Sequence, residues 1–243
     1  MKLPTLSIVI PCYNEEELVG KCLWNILKQD VLPEEVIFID NNSIDKSVEI
    51  AKTFIDKFKN RGVDFKILVE RQQGILATRK LGFSKVSCEL IGTIDSDTVI
   101  SRNWVKIAKN MFLKNKNLAC ITGPLTFYNL NFLIRNFSKI IFVLYKIKFF
   151  FIMWGCNGVF SKKNYNKLDG LKKYDDCSTN LGLKYTYDDN YLSERFKLIG
   201  QTKCVWKLKA TGESRPDKSR GKDQIKQFWR IKRYIRKKYK NEK

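Results

Sequence analysis

Histidine is missing from all 243 residues. Its absence removes Ser-His-Asp triads, histidine general bases and histidine-ligated zinc, so proton transfer falls mainly to carboxylates. The seven cysteines are scattered, odd in number and without a C-x-x-C pair, which argues against a disulfide framework or zinc cluster. Reduced thiols facing a cytosol are expected instead. No apolar run is long enough to span a bilayer. The opening residues read as a strand, not a leader. Acids are absent over one long stretch, with no Asp or Glu from Thr98 to Leu168. At the other end, residues 215–243 carry 13 Lys/Arg against three acids, within a formal charge of +21. Such asymmetry predicts an anionic partner: nucleic acid, a phospholipid surface or a phosphorylated substrate.

What is present reads as a folded α/β protein with ample chain for a core, 44% hydrophobic and 13% aromatic. Leu6–Pro11, Val36–Ile39, Phe65–Val69 and Leu90–Ile94 are short apolar runs of the kind that form buried parallel strands. Helical patterns separate them. One opens at Asn14 as N-cap, with Glu15–Glu17 in its first turn, and runs to about Gln29. Another covers Ser47 to about Lys59, and a third Ile75 to Val86. Strand and helix alternate as in βαβ units, so a mainly parallel sheet flanked by helices is expected, with ligands outside the carboxyl ends of the strands.

Acids gather at those ends. Asp40 follows the second strand, and Asp95-Ser96-Asp97 follows the fourth. On extended backbone, residues i and i+2 share a side, so Asp95 and Asp97 are expected to face one ligand. Two adjacent carboxylates repel unless a cation lies between them. Mg²⁺ suits the place, since it takes one or two carboxylates plus substrate phosphate. A plain Asp-rich turn is the alternative reading of the three residues alone.

The segments Ser7–Glu17, Val36–Ser47, Ala77–Gly82, Ile94–Thr98, Trp154–Leu171 and Tyr187–Gly200 come in an order that resembles the family 2 glycosyltransferases of the GT-A fold. The resemblance covers residues 6 to 215. It implies a Rossmann-like sheet, a nucleotide-binding half over 1–98, an acceptor half over 99–214, and inverting transfer from a nucleotide diphosphate sugar, UDP by default, assisted by Mg²⁺ or Mn²⁺. Carried over, Pro11, Tyr13 and Glu15 line the nucleotide pocket and Asp40 meets the nucleobase. Asn41 stands where a second acid is common. Arg79 faces the donor phosphates, Asp95 lies near the ribose, and Asp97 is the metal ligand with Asp95 beside it. Asp189 is the catalytic base and Asp188 its partner acid, with Arg195 following. The processive Q-x-x-R-W is absent, which implies a single or limited addition.

The implied acceptor is a glycan or lipid-linked precursor. Two segments bear on membranes. Phe127–Trp154 is apolar with scattered lysines, either core helices or an in-plane helix. The basic tail, 215–243, repeats Ile225, Phe228, Trp229, Ile235 and Tyr239 at helical spacing. It reads as an amphipathic helix, packed on the domain or held peripherally at the cytosolic face of an anionic membrane, with Phe228, Trp229, Tyr234 and Tyr239 at the headgroups. Two competing functions are weaker. A nucleotidyltransferase would want a Gly-rich phosphate loop, which is absent. A nucleic-acid binder is suggested by charge alone, without a recognisable motif, so no nucleic acid is expected.

Overall fold

A computed structural model describes residues 2–129, 153, 155–213 and 218–239. Most of the apolar segment 127–154 therefore lies outside the described residues, as do 214–217 and 240–243.

Seven strands form the central sheet: β1 (Leu6–Cys12), β2 (Glu35–Asp40), β3 (Asp64–Val69), β4 (Leu90–Thr93), β6 (Leu118–Thr122), β8 (Gly158–Ser161) and β9 (Gln201–Cys204). Their spatial order is β3-β2-β1-β4-β8-β6-β9. The expected parallel half is present, with β1 paired to both β2 and β4 and β2 to β3. β8 is antiparallel to its neighbours β4 and β6. A smaller sheet, ordered β5-β10-β7, joins β5 (Val99–Ile100), β10 (Ala210–Gly212) and β7 (Leu125–Phe127) just beyond the Asp95–Asp97 segment.

β1, β2 and β4 are buried on both faces, as continuous apolar runs require. One core layer holds α1 (Val19–Leu27), α2 (Ser47–Lys52), α3 (Ile55–Lys59) and α5 (Trp104–Lys114). The other holds α4 (Ile75–Lys85), α6 (Lys162–Lys167), α7 (Tyr174–Leu181), α8 (Asp188–Ile199) and α9 (Lys218–Lys238). α4 lies close on the sheet at Gly82, where a Cβ would sit 2.5 Å from Val9 Cγ1 and 2.8 Å from Ile39 Cδ1.

Two helices differ from expectation. α1 begins at Val19, and Asn14 is not its N-cap. Asn14 takes a left-handed φ of 52°, and the amides of residues 14–16 turn to the loop after β2. There they donate to Ser43 Oγ (3.0 Å), Ser47 Oγ (2.7 Å) and Asp45 Oδ2 (3.0 Å). Those donors are thereby bonded between loops, so the chain enters the helix a turn late. The helix expected over 47–59 breaks into α2 and α3 at Thr53 and Phe54.

The basic tail forms α9, whose apolar stripe packs into the second core layer. Phe228, Ile231, Ile235 and Tyr239 are all buried. Arg195 of α8 stacks its guanidinium 3.5 Å from the Tyr239 ring centre. Burying each such side chain stabilises by about 1.5–3 kcal/mol, a sum comparable to the whole net stability of a domain, about 5–15 kcal/mol. This corrects the headgroup reading of two aromatics. Phe228 and Tyr239 belong to the core, because their helical spacing points them at α7 and α8, whereas Trp229 stays half-exposed. No helix among the described residues is long and apolar enough to cross a membrane.

Candidate active site

The carboxyl ends of β1, β2 and β4 converge. Cys12 pairs with Asp40 in register, and β4 ends at Thr93, two residues before Asp95. Beyond β4 the backbone does not continue as an extended strand. The Thr98 amide donates to Asp95 O at 3.0 Å and closes a four-residue turn. The alternation expected of extended backbone therefore does not set the directions of Asp95 and Asp97. Local hydrogen bonds and a distant cation do so instead. Asp97, half-buried, accepts from Thr98 Oγ1 at 3.0 Å.

That cation is Arg79 of α4. Its Nη1 donates to both carboxylate oxygens of Asp188, at 3.0 Å each, and its Nη2 to Asp95 Oδ1 at 3.1 Å. The side chain is 8% exposed and that of Asp188 5%, against 38% for Asp95. A planar guanidinium is the one side chain that spans two carboxylates in this way. Burial alone would lower its pKa. The charges of Asp188, Asp95 and Asp189 outweigh that and hold it above the usual range. One cation thus faces three carboxylates, with Asp97 two residues from Asp95. Four carboxylates thus gather near one another in a strongly basic chain.

The ceiling over Arg79 is Gly155, where a Cβ would fall 2.4 Å from Arg79 Nη2. Only glycine fits. The loop carrying it is fixed by Thr93 Oγ1 donating to Gly155 O (2.7 Å) and Thr122 Oγ1 donating to Asn157 O (2.7 Å). Asn157, fully buried, accepts from Trp104 Nε1 at 2.8 Å and donates to Leu208 O at 2.9 Å.

Asp188 and Asp189 open α8, where carboxylates suit the positive dipole end. Their environments differ. Asp188 is buried and held bidentate by Arg79, whereas Asp189 is half-buried and accepts from the Asn190 amide at 2.7 Å. No group of three or more His, Cys, Asp or Glu side chains among the described residues could hold a metal by itself. Asp97 and Asp95 offer hard oxygens but an incomplete shell, the donor set that fits Mg²⁺ or Mn²⁺ when substrate phosphate completes it.

Of the residues expected to line a nucleotide pocket, Pro11 lies next to the end of β1 beside Ile39, Tyr13 is half-exposed, and Glu15 is buried with its amide on Ser47. Asp40 is buried and accepts from the Ser43 amide at 3.2 and 3.3 Å. Cys12 beside it is no nucleophile, because burial pushes its thiol up to about 12.

The residue that sequence reasoning undervalued is Asn41. Its Nδ2 donates to Glu70 O (2.7 Å) and Gln72 O (2.8 Å), and its Oδ1 accepts from the Gly74 amide (2.7 Å). It staples the loop between β3 and α4 beneath Arg79's helix. An aspartate has no donors for those two carbonyls. Asn41→Asp is therefore expected to lower stability by about 1–3 kcal/mol and weaken nucleotide binding, as read by melting and titration. An unchanged melting temperature would remove Asn41 from this role.

A family model for glycosyl transferase family 2 matches residues 7–192. The chain is 31% identical over 155 residues to an uncharacterized glycosyltransferase of Haemophilus influenzae, covering 64% of this chain and 59% of that protein. It is 35% identical over 108 residues to the glycosyltransferase AglE of Haloferax volcanii, covering 43% and 34%. It thus spans less than two thirds of the length of either relative. Among solved structures, the mannosyltransferase PcManGT of Pyrobaculum calidifontis, in complex with GDP-Man and Mn²⁺, matches with a TM-score of 0.71. That match has 16% identity and covers 93% of this chain and 61% of that one. S. aureus TarS 1-349 in complex with UDP matches at 0.63, with 16% identity, over 93% and 64%. The mainly parallel sheet with flanking helices is the GT-A architecture, and the chain belongs to glycosyl transferase family 2.

Proposed function

We propose that this chain moves a sugar from a nucleoside diphosphate donor to an acceptor hydroxyl by direct displacement with inversion. The observation that carries this reading is the division of labour among carboxylates around Arg79. Asp188 is buried and paired to Arg79, and Asp189 follows it, half-buried, in the first turn of α8. A half-buried carboxylate at a helix start is a suitable general base. In the displacement the acceptor oxygen bonds to the anomeric carbon while its proton passes to Asp189. The bond from that carbon to the diphosphate oxygen breaks, and the electron pair leaves with the diphosphate. The positive charge developing on the sugar is also stabilised by the carboxylate.

Asp97, with Asp95, would hold Mg²⁺ or Mn²⁺. When bound, such a cation neutralises charge on the leaving diphosphate. Arg79, held between Asp95 and Asp188, would face the donor phosphates, as the resemblance implies. Pro11, Tyr13, Glu15 and Asp40 would line the nucleoside pocket. UDP is the default donor nucleotide, with GDP a further choice given the PcManGT complex. The acceptor is a glycan or lipid-linked precursor, and the place of action is the cytosolic membrane face.

The test is a panel of nucleotide sugars scored by thermal stabilisation with and without Mn²⁺, followed by the anomeric configuration of the product. A divalent-dependent shift with one donor and an inverted product are expected. Retention of configuration would overturn the displacement. Asp97→Asn is expected to abolish turnover and most divalent-dependent nucleotide binding while melting like the parent. Near-parental turnover at limiting Mn²⁺ would remove Asp97 from the metal role.

A further inference from the structure

The two faces of α9 differ sharply. On the inner face, Phe228, Ile231, Ile235 and Tyr239 are buried in the core. On the opposite side, Lys226, Trp229, Arg230, Arg233 and Lys237 recur at i, i+3, i+4, i+7 and i+11, and helical spacing aligns them in one stripe. With Tyr234 and Leu181 of α7 they line a shallow groove of about 540 Å³. Lys226, Arg233 and Lys237 are exposed, and Trp229 is 46% exposed. None of those three cations makes an ion pair among the described residues. The neighbouring acids of α7 are already matched, Asp175 with Lys80 and Asp176 with Lys238. Across Lys218–Lys238 there are ten Lys/Arg against the one acid Asp223. Asp223 itself is held by Gln227 Nε2 at 2.9 Å and Tyr187 OH at 3.4 Å.

A helix that needed only to cover the core would want a mixed-sign outer face. This one is uniformly cationic around an exposed indole, the composition that suits an anionic interface with an apolar boundary. We propose that the outer face of α9 is a docking surface for an anionic lipid bilayer. The bilayer phosphates meet Lys226, Arg233 and Lys237, and Trp229 enters the headgroup boundary. Arg230 is less available, because its guanidinium donates to Leu181 O and to Gln227 Oε1. The attachment of α9 to the site gives the docking a consequence. Tyr187, bonded to Asp223 of α9, immediately precedes Asp188 at the start of α8. A bilayer bound along α9 would therefore hold the start of α8, which carries the proposed base, on the side from which a lipid-carried acceptor hydroxyl comes. That consequence rests on the glycosyl-transfer reading, whereas the docking itself does not.

Deleting the tail would be a poor test, because it removes the buried stripe and exposes the core. Charge reversal on the surface is the better one. The full chain is cosedimented, without nucleotide, with phosphatidylcholine vesicles with and without phosphatidylglycerol. Three proteins are compared: the parent, K226E/R233E/K237E, and K52E/R61E/K116E, whose exposed side chains lie in α2 and in the turns after α3 and α5. K226Q/R233Q/K237Q serves if the reversal fails to fold, with parental melting required of each protein used.

Binding is expected only to vesicles containing phosphatidylglycerol, and it should be lost at 1 M salt, where the Debye length is about 3 Å. Each cation near an anionic surface is worth about fivefold. The α9 reversal should therefore lose at least on the order of 100-fold in partition, the loss expected of the glutamine triple alone, while the K52E/R61E/K116E triple stays near the parent. Equal binding to neutral vesicles would overturn the proposal. So would an equal loss in both triples, or tighter retention by an oligonucleotide than by the anionic vesicles at the same salt. Transfer to a soluble acceptor, assayed in parallel, reports on the glycosyl-transfer reading independently.

Discussion

Asp189→Asn is expected to bind donor nucleotide and divalent cation as the parent does, yet turn over on the order of 10²–10⁴-fold more slowly, the usual worth of a positioned general base. The isosteric amide keeps the helix start and can still accept from the Asn190 amide, so melting should be nearly unchanged. The asymmetry within the acid pair makes the prediction specific. Asp188 is committed to Arg79 through two hydrogen bonds and is buried, so Asp188→Asn should reveal itself first as lost stability. Steady-state kinetics with donor titration and thermal melting on both variants separate the two roles. If Asp189→Asn lost donor affinity as much as rate, Asp189 would belong to the donor side. If Asp188 alone proved essential to the rate at unchanged stability, the assignments within the pair would be reversed.

Arg79→Leu should be the most disruptive single change near the site. It leaves Asp188 buried without its partner, and breaking a buried pair from one side costs about 3–5 kcal/mol. For a chain of this size that corresponds to a fall of roughly 10 °C or more in melting temperature. Arg79→Lys keeps the charge but cannot fork across Asp188 and Asp95, so it should lose activity while retaining part of the stability. Adding Asp188→Asn to Arg79→Leu should recover stability, because the uncompensated charge is gone. A double-mutant cycle measures that coupling directly. Additive effects would mean that the observed contact carries no energy, and that Arg79 acts elsewhere. Gly155 offers a third entry to the same cluster, since any side chain there must displace the guanidinium.

The chain's own order of residues determined the sheet and the place of the site. Continuous apolar runs of four to seven residues, too short for helices and bounded by turn residues, read as strands buried on both faces. Their alternation with helical patterns dictates parallel pairing, and the acids fall at the ends where such a sheet binds ligands. Those signals are local periodicities, carried by neighbouring residues. Tertiary structure decided whatever depends on partners far apart in sequence. Arg79 is 109 residues from Asp188, so the carboxylate clamp it forms has no local signature. The fork of Asn41 into the loop after β3 and the late start of α1 follow from hydrogen bonds spanning about thirty residues. The tail is the clearest instance. Its spacing specified an amphipathic helix but left open what the apolar side would meet. The fold supplied α7 and α8 as that partner, turned Phe228 and Tyr239 inward, and left the cations and Trp229 facing out.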